Sequence, residues 1–377
     1  MQALQKAVIT SPYMKVSVLM SKDGMNYAPD MSGSRVVVKP GEFVFAASHF
    51  DHGHIYGQIS GLAAAGGVLK AVYEPDTARL ASVLKAHPAT KVVRDFREIL
   101  DDPEIRLVTS AAIPNLRCGI GLQVLDAGKD YLTDKSPFTT LEQLSAARAK
   151  VAATGRKYMV CYSERLSSEA GWHAGELLRG GAIGRVLQVL NLAPHNLNAP
   201  SRPAWFFRKE CYGGILTDIG SHQFEQFLTY AGATGGTVNS ARVANFGNPG
   251  TPELEDFGEA SLTLDTGASA YCRLDWFNPA GSKVWGDGRT FVLGTKGYLE
   301  IRKYIDLAHS PVGDRILLVD EKDVHEIECR GKVGFPYFGR LILDVLNRTE
   351  HAMTQAHAFK AAELSMLAQQ VADAAKG

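Results

Sequence analysis

From Glu42 onward the chain alternates short apolar runs with stretches of helical periodicity, and this βα rhythm constrains the fold more than any other feature. Apolar runs that are continuous rather than alternating belong to strands buried on both faces, which argues for a parallel sheet covered by helices. Candidate strands lie at 43–48, 68–74, 91–93, 105–112 and 130–134, with helices near 54–65, 76–86, 95–101 and 115–127. A bridging helix near 139–153 closes this unit, which is placed at 41–155. KYMVCYS then opens a second unit, 156–377, where a helix at Glu169–Arg179 precedes the strand RVLQVLNLA. After Gly235 the texture changes to strand after strand with glycine turns (SARVANF, EASLTLD, ASAYCRLDWF, RTFVLGT, YLEIRK, RILLVD), as in a large, open, mainly antiparallel sheet. The end, Tyr337 to Lys376, is helical with a break near Arg348 to His351. Residues 1–40 form an added arm, with strands expected at Lys15–Met20 and Arg35–Lys39 around an SKDG turn.

At 377 residues, two domains can each bury a core. Forty basic residues balance forty acidic ones, so no global field draws the chain to nucleic acid or an anionic membrane, and a small neutral molecule suits it as partner. No stretch approaches the roughly 20 apolar residues of a membrane helix. The first residues lack a basic region followed by a long apolar core, and a cytoplasmic protein is expected. The five cysteines are scattered and never spaced CxxC, so neither a disulfide framework nor a thiolate zinc site is indicated.

Two segments carry chemistry. In GGILTDIGSHQFEQFL, Gly213 and Gly214 form a close-approach loop, and Asp218 and His222 are four apart, on one face of a helix if it is continuous. A carboxylate beside an imidazole fixes its tautomer and raises its basicity, as a general base requires. On spacing alone, an exposed or capping aspartate and a satisfied histidine are the simpler reading. In YLTDKSPFTTLEQL, Lys135 follows a strand end, where α/β sheets place ligand groups, although a surface lysine in a turn is also compatible.

Together these segments resemble the glucose-fructose oxidoreductase, inositol dehydrogenase and MocA (Gfo/Idh/MocA) family. The resemblance rests on IRLVTSAAIPN, VLDAGKDYL and DKSP in the first half and on GGILTDIGSH in the second, in the family's order. It implies a Rossmann-like first domain, a substrate-binding and oligomerising α+β second domain, and NAD(P)-dependent hydride transfer at a hydroxyl carbon of a sugar, cyclitol or glycoside. NAD is preferred to NADP. In these terms Lys135 and His222 handle the hydroxyl proton and Asp218 orients. The alternative is a lyase, hydrolase or epimerase acting on sugars with a tightly held, recycled or absent cofactor.

The chain departs from the family at its first turn. A dinucleotide site usually reads GxGxxG, and FVFAASHFDHGHIYG has none of those glycines where they would stand. Cofactor contacts are nevertheless expected from Ser48, His49, Phe50 and Asp51 in the turn. Glu74 is expected at a ribose hydroxyl, with Pro114, Asn115 and Asp134 at later strand ends. A metal at the cluster His49, Asp51, His52 and His54 is considered and not adopted: an N-cap side chain with two solvated histidines is the simpler reading. Tyr162, Arg165, His195, Trp205 and Arg208 are expected at the sugar, while Trp276 and Trp285 are expected to pack. The open sheet suggests a homodimer or homotetramer.

Overall fold

A computed structural model describes residues 31, 34–282, 284–306 and 313–375; the expected strand at Lys15–Met20 lies outside them. The first sheet contains β1 (Val44–Ser48), β2 (Val68–Tyr73), β3 (Lys91–Val93), β4 (Leu107–Ser110), β5 (Asp130–Asp134) and β6 (Tyr158–Cys161), in the order β3-β2-β1-β4-β5-β6. All its pairings are parallel. Every residue of β4 and β5 is buried, including Asp130 and Asp134 at the two ends of β5, whose carboxylates are taken by partners within the fold. Strand order reverses between β1 and β4, so their carboxyl ends flank a crevice of the kind that binds ligands in open α/β sheets.

The second sheet contains β7 (Val186–Pro194), β8 (Gly236–Ala244), β9 (Phe257–Leu264), β10 (Ser269–Asp275), β11 (Arg289–Gly294), β12 (Gly297–Arg302), β13 (Arg315–Asp320) and β14 (Val324–Glu328). Their order is β14-β13-β12-β11-β7-β10-β9-β8, antiparallel except for the parallel pair of β7 and β10. One face carries the helix Gly220–Ala231 and the helix Glu169–Arg179. The other bears exposed Phe291, Leu293 and Tyr298, with Leu293 directly opposite Tyr298 across the strands.

The helix Gln355–Ala374 ties the halves together. Its Phe359, Ala362 and Met366 join Tyr131, Phe138 and Tyr158 in one core, whereas Ala358, Ala361 and Leu364 join the larger core around Phe224 and Phe227. Burying the Phe359 ring alone contributes roughly 1.5–3 kcal/mol.

The structure departs from the sequence reading in three places. Arg35–Lys39 is not a strand: the Val37 amide donates to the Ala65 carbonyl at a helix end, and Val38 is buried there. KYMVCYS does not open the second unit, because β6 pairs with β5 and completes the first sheet. Strand β14 was missed, since VHEIE is mostly exposed and lacks an apolar face. No described helix is long and apolar enough to cross a membrane, and all five cysteines are buried and free.

Candidate functional site

A cavity of about 680 Å³, counting its mouth, lies where the carboxyl ends of the first sheet meet the second sheet. Lys135 enters it just past β5. Arg117, wholly buried on the helix Pro114–Asp126, fixes that strand end by donating to the carbonyls of Lys135 and Ser136 and by an ion pair of 3.3 Å with Asp134. The ammonium of Lys135 donates to Asp218 Oδ1 at 2.7 Å, and both residues are buried.

Asp218 reaches that position through the glycine pair. Gly213 and Gly214 have φ of +83° and +95°, and a side chain at Gly214 would collide with Gln369, so only glycine suits the turn. They launch a four-residue helix, Ile215–Asp218, which ends at Ile219 before the helix Gly220–Ala231 begins. The expected carboxylate–imidazole pair does not form, because Asp218 is turned onto Lys135 and His222 Nδ1 is buried with no hydrogen-bond partner. Burial above all, then the charges of Lys135, His54, His195 and Lys303, holds His222 well below the usual histidine range. It is therefore a neutral imidazole, able to accept a proton, beside a fixed cation.

The opposite wall was largely invisible in the sequence. Glu164 is buried and ion-pairs with buried Lys303 at 3.3 Å. Its Oε1 makes no hydrogen bond, with His195 Nε2 at 3.5 Å. His195, expected at the sugar, lies on the cavity wall, and burial lowers it to about 4. Trp276 and Trp285 are not mere packing: both line the cavity, their rings 5.3 and 4.8 Å from that of His195. Trp285 reaches it because it sits in the loop between β10 and β11, off the sheet.

The other sugar candidates go elsewhere. Tyr162 is fully buried and donates to the Ala358 carbonyl at 2.8 Å, joining the first sheet to the last helix. Arg165 grips Glu225 through Nε at 2.8 Å, and Glu225, pushed up by burial but held down by Arg165 and His357 together, stands at about 2. Trp205 is partly buried against the core outside the cavity, and Arg208 is exposed and pairs with Glu210. None of these four lines the cavity, because in each case a nearer protein partner takes the polar group or the ring.

The turn after β1 compensates for its missing glycines. His49 adopts φ +54°, the left-handed conformation a glycine would supply. Glu74, at the end of β2, accepts the Phe50 amide at 2.6 Å and the Asp76 amide at 2.8 Å, so its carboxylate braces the turn. Asp51 is neutralised by Arg79 at 2.9 Å. Ser48 Oγ, His49 Nδ1 and Asn115 Oδ1, strung along the carboxyl ends of β1 and β4, are buried without hydrogen-bond partners, and Pro114 starts the helix there. The next two histidines are not solvated as expected: His52 and His54 are buried, folded inward around Asp134.

Comparison with known proteins agrees with this architecture. Residues 172–300 match the GFO/IDH/MocA C-terminal domain. A solved structure from Erwinia carotovora atroseptica SCRI1043, assigned as an oxidoreductase, is 44% identical, with a TM-score of 0.85 over 88% of this chain and 99% of that one. Levoglucosan dehydrogenase of Pseudarthrobacter phenanthrenivorans is 31% identical over 34% of this chain and 33% of its own length. The scyllo-inositol 2-dehydrogenase (NAD(+)) of Bacillus subtilis is 26% identical over 63% of this chain and 66% of its own length. With both halves of the fold and both motifs in place, the chain belongs to the Gfo/Idh/MocA family of oxidoreductases.

Proposed function

We propose that the protein is an NAD-dependent oxidoreductase acting at a secondary hydroxyl of a sugar, cyclitol or glycoside, with the first domain holding the dinucleotide and the second the substrate. The observation that carries this is the buried Lys135–Asp218 pair at 2.7 Å facing unpartnered His222 in one cavity. The names of the levoglucosan and scyllo-inositol enzymes support the substrate class, and the latter supports NAD.

The residues present fit a dinucleotide at the point of strand reversal, where three buried polar atoms (Ser48 Oγ, His49 Nδ1, Asn115 Oδ1) are orphaned. Those three would hold it, with Glu74 bracing the turn and Asp134 the strand end below Lys135. Bound NAD would supply the hydride acceptor. The chain supplies the rest. Asp218 fixes the Lys135 ammonium, which donates to the substrate oxygen and stabilises the negative charge that develops on it. His222, neutral because it is buried, takes the hydroxyl proton. Glu164 Oε1 and His195 orient neighbouring hydroxyls, and the faces of Trp276 and Trp285 suit the apolar faces of a sugar ring. The exposed Phe291, Leu293 and Tyr298 face suits a second copy of the chain.

Purified protein should bind NADH with a change in nicotinamide fluorescence and reduce NAD with some member of a polyol panel. Absence of nicotinamide binding at saturating concentration would refute this function.

A further inference from the structure

Beyond the proton and hydride machinery, the inward turn of the two histidines creates a second constellation. His54 Nδ1 stands 2.9 Å from Asp134 Oδ1, and His52 Nδ1 stands 3.5 Å from Asp134 Oδ2. The donor atoms of all three side chains lie within 4.8 Å of one another, and all three residues are buried. Donor atoms around a tetrahedral zinc, each ~2.0–2.2 Å from the metal, are about 3.3–3.6 Å apart; the His52 spacing already falls in that range, and the His54 spacing, a hydrogen bond, would open by about 0.5 Å as its proton leaves.

Ordinary hydrogen bonding accounts for the His54–Asp134 contact but not for the His52–Asp134 one. Asp134 already has a counter-charge in Arg117, which is wholly buried and anchored on three backbone carbonyls. The backbone amide of His54 donates to His52 Nδ1 at 3.2 Å, which marks that nitrogen as a lone-pair bearer. A carboxylate oxygen and an imidazole lone pair thus face each other at 3.5 Å without a proton between them, an arrangement that a shared cation stabilises. Arg117 then plays the part of the outer group that holds a ligating carboxylate in position.

We propose that His52, His54 and Asp134 form a mononuclear site for a first-row divalent cation of the zinc or cobalt class, open toward the cavity of Lys135 and His222. Two imidazoles and one carboxylate favour such ions over magnesium or calcium, which prefer all-oxygen shells. Asp134, Asp218 and Glu164 are balanced by Arg117, Lys135 and Lys303, so a divalent ion leaves the cavity with a net positive charge. The open position therefore takes an anionic oxygen, the carboxylate or ionised hydroxyl of a sugar-acid-like substrate. The metal site stands independently of the NAD reading, since metal binding is measured without nicotinamide.

The test is direct. Full-length protein stripped with a chelator is titrated with Co²⁺ and followed by its visible absorption, then challenged with Zn²⁺. One Co²⁺ per chain, displaced by Zn²⁺, is expected. His52→Ala and His54→Ala should each weaken binding tenfold or more, while His325→Ala, on exposed β14, leaves it unchanged. No stoichiometric binding by the wild type, or binding equally strong in both cavity variants, overturns the proposal. Should the variants misfold, X-ray absorption of the zinc-loaded wild type decides: a first shell with two imidazoles at about 2.0–2.1 Å is expected, and a sulfur or all-oxygen shell refutes it.

Discussion

Glu164 and Arg165 are neighbours in one short helical turn, both buried and both in an ion pair, yet they do opposite things. Arg165 points away from the cavity, and its partner Glu225 also accepts from Thr229 at 2.9 Å, so that carboxylate is fully engaged within the fold. Glu164 points into the cavity, and after Lys303 and Gln223 have taken Oε2, its Oε1 is left without a hydrogen bond. A buried charge whose atoms are all satisfied braces the structure, whereas one with a free lone pair facing a cavity is prepared for a ligand. Lys135 belongs with Glu164: it is tied to one carboxylate oxygen and open on the cavity side.

The sharpest way to break this contrast is to remove each cation. Lys135→Met should lower kcat by about 10²–10⁴-fold, read in steady-state nicotinamide assays, with the fold retained by circular dichroism. Arg165→Met should do the reverse. It leaves Glu225 buried without its cation and should cost roughly 3–5 kcal/mol in denaturant unfolding, with activity per folded molecule little changed. If Arg165→Met abolished turnover in folded protein, the division between the two kinds of ion pair would be wrong.

This contrast also explains what was legible in the sequence. The βα rhythm gave the first sheet nearly to the residue at β3 and β5, because each is a short β-prone run set off from the helical stretches on either side. Lys135, Asp218 and His222 were recoverable from their motifs and order. Their pairing was not: Asp218 is drawn to Lys135, 83 positions earlier in the chain, and spacing within one segment cannot reveal a partner from another. Glu164 and Arg165 look alike in CYSER, and only their orientation on a four-residue turn decides which one lines the cavity. The histidines after β1 were misread because turn residues are usually solvated, and here buried Asp134, at the carboxyl end of β5, receives them.

A smaller effect concerns His195 on the cavity wall. Its folded value of about 4 lies below the ordinary 6.5, mainly through burial, so the unfolded chain takes up the proton first as pH falls. The stability it contributes is present above pH 6.5 and is lost as pH falls from 6.5 toward 4, by at most about 3 kcal/mol. His195→Gln should flatten that limb of the unfolding profile; an unchanged slope would place the titration elsewhere. Smallest of all is Arg208→Ala. Its exposed pair with Glu210 should contribute nothing measurable to Tm, and KM should not move.

Hydride transfer at the Lys135 and His222 cavity is tested most directly by isotope. Sugars, cyclitols and anhydrosugars deuterated at every carbon are incubated with the protein and NAD, and the nucleotide is analysed by mass spectrometry. One deuterium carried into NADH, lost when Lys135 is replaced by Met, is the expected result. Unlabelled nucleotide alongside a chemically changed sugar would contradict net hydride transfer to free NAD.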